Sequence, residues 1–404
     1  MGNIGGLMGH ARLPIVGLDE SYDQPVAVGS WMICFVGEVL DFRDHEQDES
    51  DLPLVVEGWI EHGPKALVGH DGFWSIAAMS NTELHVVADY LGQKPIYYRP
   101  DVLAAGSEPD ALAALGPTTP DEIYLSSVIK WGYCPQIERT PYREIKHVLP
   151  GEHVCMNKEG DVYRNIIDPL EPRAGDLRLE LEAAVRRRVL AADVPVASLL
   201  SGGLDSSIVH TLAARHGDVH PLYVALEEDL GERLAVSAVG GEVREAYGYW
   251  PDDATALGYM QEPIDLGSLK PQILLSQSVP QIVCLTGDGA DELFSGYGRA
   301  MRYDSQYTDV FHELPAWHLP RLDRVMMRHR VEVRSPFLAR RVAEIALSLP
   351  YKARKNKQIL RDLFKNDLPP GIAEGKKKPL RPLDFDQEKR SKLLVAQFRE
   401  LTWP

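Results

Sequence analysis

Val196-Ala197-Ser198-Leu199-Leu200-Ser201-Gly202-Gly203-Leu204-Asp205-Ser206-Ser207 is the stretch whose reading decides the fold. The first five residues read as a buried strand and the glycine pair as a turn. Ser207-Ile208-Val209-His210-Thr211-Leu212 reads as the apolar helix that follows. Strand, glycine loop and helix are the opening unit of a parallel α/β sheet. Two adjacent glycines let the backbone approach an anion with its N–H groups turned inward. Serine hydroxyls add donors, and the start of a helix adds a positive dipole. The loop therefore predicts a phosphate cradle at Ser201, Gly202, Gly203, Ser206 and Ser207, with an ordinary capped Gly-Gly turn as the alternative. Asp205 would repel a phosphate, so its expected role is to hold a magnesium ion that bridges phosphates. No Gly-Lys-Ser/Thr closes the loop, which excludes a Walker A motif.

A second loop, Thr286-Gly287-Asp288-Gly289-Ala290-Asp291-Glu292-Leu293-Phe294-Ser295-Gly296-Tyr297, follows another apolar run, Ile282-Val283-Cys284-Leu285. Its place at the end of a parallel strand is where ligand sites of such sheets gather. Three carboxylates this close repel unless a cation sits among them. Asp291 is thus expected to complete the magnesium site with Asp205; a solvated acidic loop is the alternative. A further buried strand is expected at Leu222-Tyr223-Val224-Ala225-Leu226, and the chain beyond Tyr297 reads as mainly helical.

Upstream, the pattern changes. Short strands are expected at residues 31–36, 73–78 and 84–88, with helices near 52–62 and 109–115. Ile167-Asp168-Pro169-Leu170-Glu171-Pro172-Arg173 reads as a linker, followed by a charged helix over about 175–192. A chain of 404 residues is about right for two domains. The expected boundaries are 1–165 and 174–404.

Lys plus Arg number 43 against 59 Asp plus Glu, for a net charge of −16. That balance excludes a general nucleic-acid backbone binder and disfavours anionic membranes. No apolar run reaches membrane-spanning length, the N-terminus lacks a signal-peptide pattern, and Gly6 breaks the myristoylation motif that Gly2 suggests. Cys34, Cys134, Cys155 and Cys284 form no C-x-x-C pair and read as small core residues of a cytoplasmic protein. One segment departs from the acidic average. Between Pro350 and Arg381 stand ten basic residues against three acidic ones, which suits a polyphosphate partner, with a solvated basic helix as the alternative.

The Ser201 loop resembles the PP-loop of ATP pyrophosphatases, which cleave ATP between its α and β phosphates. Together, the two loops resemble the synthetase domain of the asparagine synthetase B-type family. Glu332-Val333-Arg334-Ser335-Pro336-Phe337-Leu338, after Leu322-Asp323-Arg324-Val325, is similar to that family's E-x-R-x-P-F-L-D. Lys357-Gln358-Ile359-Leu360-Arg361 is similar to its K-x-x-L-R, and Lys376-Lys377-Lys378-Pro379 lies at another basic stretch. In the first half, Arg12-Leu13-Pro14-Ile15-Val16, Asp89-Tyr90-Leu91-Gly92-Gln93-Lys94-Pro95-Ile96-Tyr97-Tyr98 and Gly106-Ser107-Glu108 resemble family segments. The resemblance covers nearly the whole chain. It implies an α/β and α+β fold: an N-terminal Ntn-hydrolase-like αββα sandwich, then a PP-loop ATP-pyrophosphatase parallel α/β domain with a helical C-terminal part.

The same resemblance implies an ATP-dependent, AMP-forming ligase that adenylates a carboxylate and passes it to an amine. Leu199, Val224 and Gly287 would border the adenine, Lys357 would supply a fixed cation, and Asp288 would orient or deprotonate the amine. ATP and Mg2+ are the expected cofactors, and a homodimer is compatible with the family. The departures fall in both halves, first in the glutaminase half. Gly2 stands at the family's nucleophilic cysteine, Val36 of Val36-Gly37-Glu38 at its oxyanion-hole asparagine, and the R-G-P-D stretch is skipped between Gly6 and His10. Glutamine hydrolysis is therefore not expected, and ammonia becomes the expected nitrogen source. Ala339 replaces the aspartate after P-F-L, and the family's L-G-x-x-H is not recognisable near Tyr247-Gly248-Tyr249-Trp250, which weakens any carry-over of aspartate specificity. An intramolecular cyclase, as in the related β-lactam synthetases and lasso-peptide cyclases, and a non-catalytic binding relative remain open. A nucleic-acid-modifying PP-loop enzyme fits the charge least.

Overall fold

A computed structural model describes residues 6–16, 20–41, 50–224, 230–246, 250–375 and 386–403. Gly2, the 247–249 part of the Tyr247–Trp250 segment, the Lys376–Pro379 stretch and Arg381 lie outside the described residues. Among the described residues, nine strands precede the linker: β1 (Val26–Val28), β2 (Trp31–Val39), β3 (Gly72–Met79), β4 (Glu83–Ala88), β5 (Tyr97–Arg99), β6 (Ala104–Gly106), β7 (Lys146–His147), β8 (Glu152–Asn157) and β9 (Val162–Ile166). They form a six-stranded sheet in the order β1-β2-β3-β4-β8-β9 and a three-stranded sheet in the order β6-β5-β7. The expected strands at 31–36, 73–78 and 84–88 are β2, β3 and β4. The strands of the small sheet are two or three residues long, too short to show a period of two in the sequence.

The helix Leu52–His62 lays Leu52, Val55 and Trp59 on the larger sheet and ends where Gly63 takes φ +58°. The helices near 52–62 and 109–115 are Leu52–His62 and Pro109–Ala113. Residues 167–173 carry no regular structure, and the next helix runs Leu177–Leu190, its start capped by Asp176 accepting from Leu179 N–H at 3.1 Å.

Among the described residues, the second half is built on five parallel strands: β10 (Val196–Leu199), β11 (Val219–Val224), β12 (Arg244–Ala246), β13 (Val283–Leu285) and β14 (Glu332–Arg334). Their order is β12-β11-β10-β13-β14. Chain progression runs outward from β10 to β11 on one side and to β13 on the other. The crevice at the carboxyl ends of β10 and β13 is therefore the switch point of the sheet, the place such folds hold ligands. β14 is a difference from the sequence reading, in which Glu332–Arg334 figured only as a motif; three residues next to β13 suffice to close that edge.

One apolar core runs through both halves, joining Ile15, Val16, Tyr90 and Leu91 to Leu181, Val185, Phe337 and Leu338. Polar contacts follow the same seam. Lys94, fully buried, donates to Asp323 at 2.8 Å, Tyr90 OH donates to Leu338 O at 2.9 Å, and Arg340 pairs with Asp168. The seam thus joins the motif lysine of the first half to Leu322-Asp323-Arg324-Val325 of the second. Ala339 is completely buried in this seam, where an aspartate would need a partner of its own.

Candidate active site

β10 ends at Leu199, whose backbone pairs with Leu222 of β11. The chain then turns through Ser201-Gly202-Gly203, with Gly202 at φ +69°, where a side chain would be strained and would press Ala235. The helix Leu204–Ala213 starts without a capping side chain, which leaves its first N–H groups facing the turn. Ser206 Oγ accepts from Ser201 N–H at 3.1 Å and lies 3.0 Å from Ser201 Oγ, so both hydroxyls stiffen the loop. Ser207 lies deeper. It is fully buried, and its N–H donates to Gly203 O at 3.1 Å as part of the helix. Val224 closes the described part of β11, opposite Ala246.

The acidic loop reaches the same place from β13. A Cβ on Gly287 would come within 2.9 Å of Asp205 Cβ and Ser206 N, so only glycine allows the two loops to abut. Gly289 at φ +90° starts the short helix Ala290–Leu293, which carries Asp291. The third contributor comes from far along the chain. Asn356 and Lys357 sit at φ +56° and +57°, the left-handed region that costs a non-glycine residue about 1 kcal/mol or more. Asn356 N–H donates to Ser295 O at 3.1 Å and Lys357 N–H to Phe294 O at 3.0 Å, which hold the strained pair on the acidic loop. Gly296 has no room for a side chain, because a Cβ there would overlap Asp291 Oδ1 and Lys357 Cε.

These constraints aim Lys357 Nζ between two carboxylates. It donates to Asp205 and lies 2.5 Å from Asp291 Oδ1. Burial alone would lower the ammonium's pKa, but Asp205 and Asp291 outweigh it and raise the group above its ordinary value. Two hard carboxylates converging on one point also fit magnesium, which takes one or two protein carboxylates together with substrate phosphates.

Asp288 is drawn elsewhere. Its carboxylate accepts from Thr286 Oγ1 and faces the buried Arg321 at 3.7 Å, while Arg321 also bonds Ser268 Oγ and lies over the Trp317 ring. Among the described members of the basic segment, two arginines are held by internal partners. Arg354 pairs with Asp304 at 2.7 Å and donates to Ser295 Oγ at 2.9 Å, and Arg361 donates to Asn356 O at 2.9 Å. Among its described members, the structure brings Lys357 to the carboxylates of both loops.

Sequence reasoning missed a buried group beside the site. Tyr297 OH donates to Glu292 and lies 3.4 Å from His318 Nε2, with His318 3.5 Å from Glu292 Oε1. Burial, the first cause, and the neighbouring carboxylates push the Tyr297 phenol well above its ordinary pKa. Glu292 follows Asp291 directly, a signal that was in view. His318 arrives through the π-helix Asp309–His318, for which no local signal exists. Asp71 was missed as well. It lies between Arg188 at 3.3 Å and Arg187 at 3.1 Å and accepts from Arg340 N–H at 3.0 Å. In the same seam, Glu38 of Val36-Gly37-Glu38 lies 3.8 Å from Arg334.

A parallel sheet with a glycine loop and an acidic loop at its switch point, fused to a two-sheet sandwich, defines a nucleotide-type α/β half joined to an amidotransferase-like half. The chain matches the asparagine synthase family over residues 176–317 and 300–398, and the glutamine amidotransferase domain over 3–165. It belongs to the asparagine synthase family. It is 25% identical to a glutamine-hydrolyzing asparagine synthetase of Sandersonia aurantiaca, the match covering 79% of this chain and 65% of that one. To a probable asparagine synthetase of Schizosaccharomyces pombe it is 27% identical, over 88% and 71%. To asparagine synthetase 3 of Bacillus subtilis it is 23% identical, over 92% and 79%. The match thus spans just under two thirds of the first relative's length. Among the described residues, no helix is long and apolar enough to cross a membrane.

Proposed function

We propose that this chain is an ATP-dependent, AMP-forming amide ligase of two domains, 1–165 and 174–404, that does not hydrolyse glutamine. The observation that carries the reading is Lys357, held buried between Asp205 of the glycine loop and Asp291 of the acidic loop. Burying an ammonium with two carboxylates at a strained backbone position has a stability cost that packing alone does not require.

ATP binds with its phosphates on the Ser201 loop and its adenine near Leu199, Val224 and Gly287. Magnesium, which Asp205 and Asp291 would hold, supplies charge neutralisation for the pyrophosphate. A substrate carboxylate attacks the α-phosphorus, forming an acyl-adenylate and releasing pyrophosphate. An amine then attacks the acyl carbon, and AMP leaves. Lys357 provides a fixed positive charge for the negative charge that builds in both steps. Asp288, which faces Arg321 at 3.7 Å, would orient or deprotonate the amine. Ammonia is the nitrogen source, since Val36 offers no side-chain donor for an oxyanion. The reading places the protein in the cytoplasm.

Pyrophosphate release measured over a panel of carboxylates, with and without ammonium, tests the reading. Ammonium-dependent release is the expected result. Release without any added amine, with a product lighter by one water, would establish ring closure instead. Absence of release with every carboxylate would leave a binding protein, and glutamate formed from glutamine would overturn the non-hydrolysing assignment.

A further inference from the structure

Glu83-Leu84-His85 on β4 and His153-Val154-Cys155 on β8 each place two chemistry-bearing side chains two residues apart, on one face of a strand. The strands pair antiparallel with His85 directly opposite Cys155, so the register brings all four side chains to one patch of the larger sheet. There, His85 Nε2 lies 3.2 Å from Glu83 Oε2 and 3.5 Å from Cys155 Sγ. One atom from each of Glu83, His85 and Cys155 falls within 4.8 Å of the others. The other nitrogen of the same ring, His85 Nδ1, lies 3.0 Å from His153 Nε2, and the two imidazoles stack. None of these four residues belongs to the Ser201–Lys357 site.

A single ring nitrogen aimed between a carboxylate and a sulfur carries one proton or one lone pair, and one N–H cannot serve both acceptors well. A cation at the point the nitrogen faces serves all three. Around a tetrahedral zinc ion, nitrogen and oxygen ligands at about 2.0–2.1 Å and sulfur at about 2.3 Å lie roughly 3.3–3.6 Å apart. The two His85 separations match those edges to within a few tenths of an ångström. The donor set also points to zinc, because imidazole with thiolate suits a borderline-soft ion and not magnesium or calcium. His153 would fix the other nitrogen of His85, as partners of ligating histidines do. Trp31 and Trp59 stand edge-on to the His85 ring and hold its plane, while the half-exposed Glu83 leaves an entry path.

We propose that Glu83, His85 and Cys155 form a zinc site with three protein ligands and a fourth position open to water, positioned by His153. Binding forms a zinc–sulfur bond and releases the Cys155 thiol proton to solvent. The ion clips together two strands whose ligands are 70 positions apart in the chain, so it stabilises the first half.

The test uses the full, untagged chain stripped of metal and titrated with zinc against a chromophoric chelator. One equivalent should bind, with a rise in the unfolding temperature. Cobalt in its place should give a thiolate-to-cobalt charge-transfer band. Cys155→Ser should remove that band and weaken zinc binding by more than a hundredfold. Glu83→Gln, a half-exposed position that leaves the fold intact, should weaken binding without removing the band. His153→Ala should weaken binding by about 10–100-fold at unchanged stoichiometry. Absence of stoichiometric zinc binding in the wild type, or equal binding by Cys155→Ser and Glu83→Gln, would overturn the proposal.

Discussion

Replacing Lys357 with methionine keeps the side chain's length and removes its charge. Two carboxylates, Asp205 and Asp291, would then share a buried point without their ammonium. At the 2.5 Å separation from Asp291, Coulomb's law with an effective dielectric near 20 gives an attraction of about 7 kcal/mol, against which the desolvation of the buried ammonium must be set. Removing one partner from such a buried set costs about 3–5 kcal/mol net. For a domain of this size that is a fall in unfolding temperature on the order of 10 °C. The sign with pH follows from the raised pKa of Lys357. Its contribution is fully present below the ordinary lysine value of about 10.5 and is lost only as pH rises through the higher folded-state value, so the deficit is present at neutral pH. On the proposed reading magnesium would be held by the same two carboxylates, so it should raise the unfolding temperature of Lys357→Met more than that of the wild type. Calorimetry at pH 7, with and without magnesium, reads both effects, and a pyrophosphate assay should show turnover lost. An unchanged unfolding temperature together with retained turnover would refute the assignment of Lys357 as the cation shared by the two loops.

Asp205→Asn should abolish pyrophosphate release while leaving the circular dichroism spectrum unchanged, since Lys357 keeps Asp291; undiminished release would remove Asp205 from the site. Gly296→Ala should reduce turnover at least tenfold, because its methyl group must displace Asp291 or Lys357, and wild-type rates would show that this close approach is unimportant. Burial would raise the Asp71 carboxyl, but Arg188 and Arg187 outweigh it and hold it at about 2. Its stabilisation of about 2–3 kcal/mol is thus present above the unfolded value near 4 and is lost as pH falls through about 2. Asp71→Asn should lower stability at pH 7 by that amount and flatten the urea-midpoint profile below pH 4; an unaltered profile would contradict the pairing.

The seam between the halves gives several side chains of the first half a packing role that is independent of any chemistry there. Lys94, Tyr90 and Asp71 are tied to Asp323, Leu338 and Arg188, so these side chains are needed for packing whatever becomes of glutamine hydrolysis. A zinc clip on β4 and β8 would add to the same structural role.

The sequence by itself determined the two loops. Residues 201–207 and 286–297 are contiguous, and glycine's freedom, a helix start and clustered carboxylates are local properties that need no knowledge of the rest of the chain. It also determined strands long enough to show a period, such as β2, β3 and β4, but not the two- and three-residue strands β7 and β14. The family resemblance singled out Lys357 as a fixed cation, but only tertiary structure decided that it meets both carboxylates. Lys357 lies 152 positions from Asp205, in a segment of ten basic residues that look alike in sequence. Long-range packing turned Arg354 toward Asp304 and Arg361 toward backbone carbonyls, and strained Asn356 and Lys357 so that one ammonium points inward. Likewise, only the pairing of β4 with β8 set His85 against Cys155, because strand register is fixed by which faces are buried together.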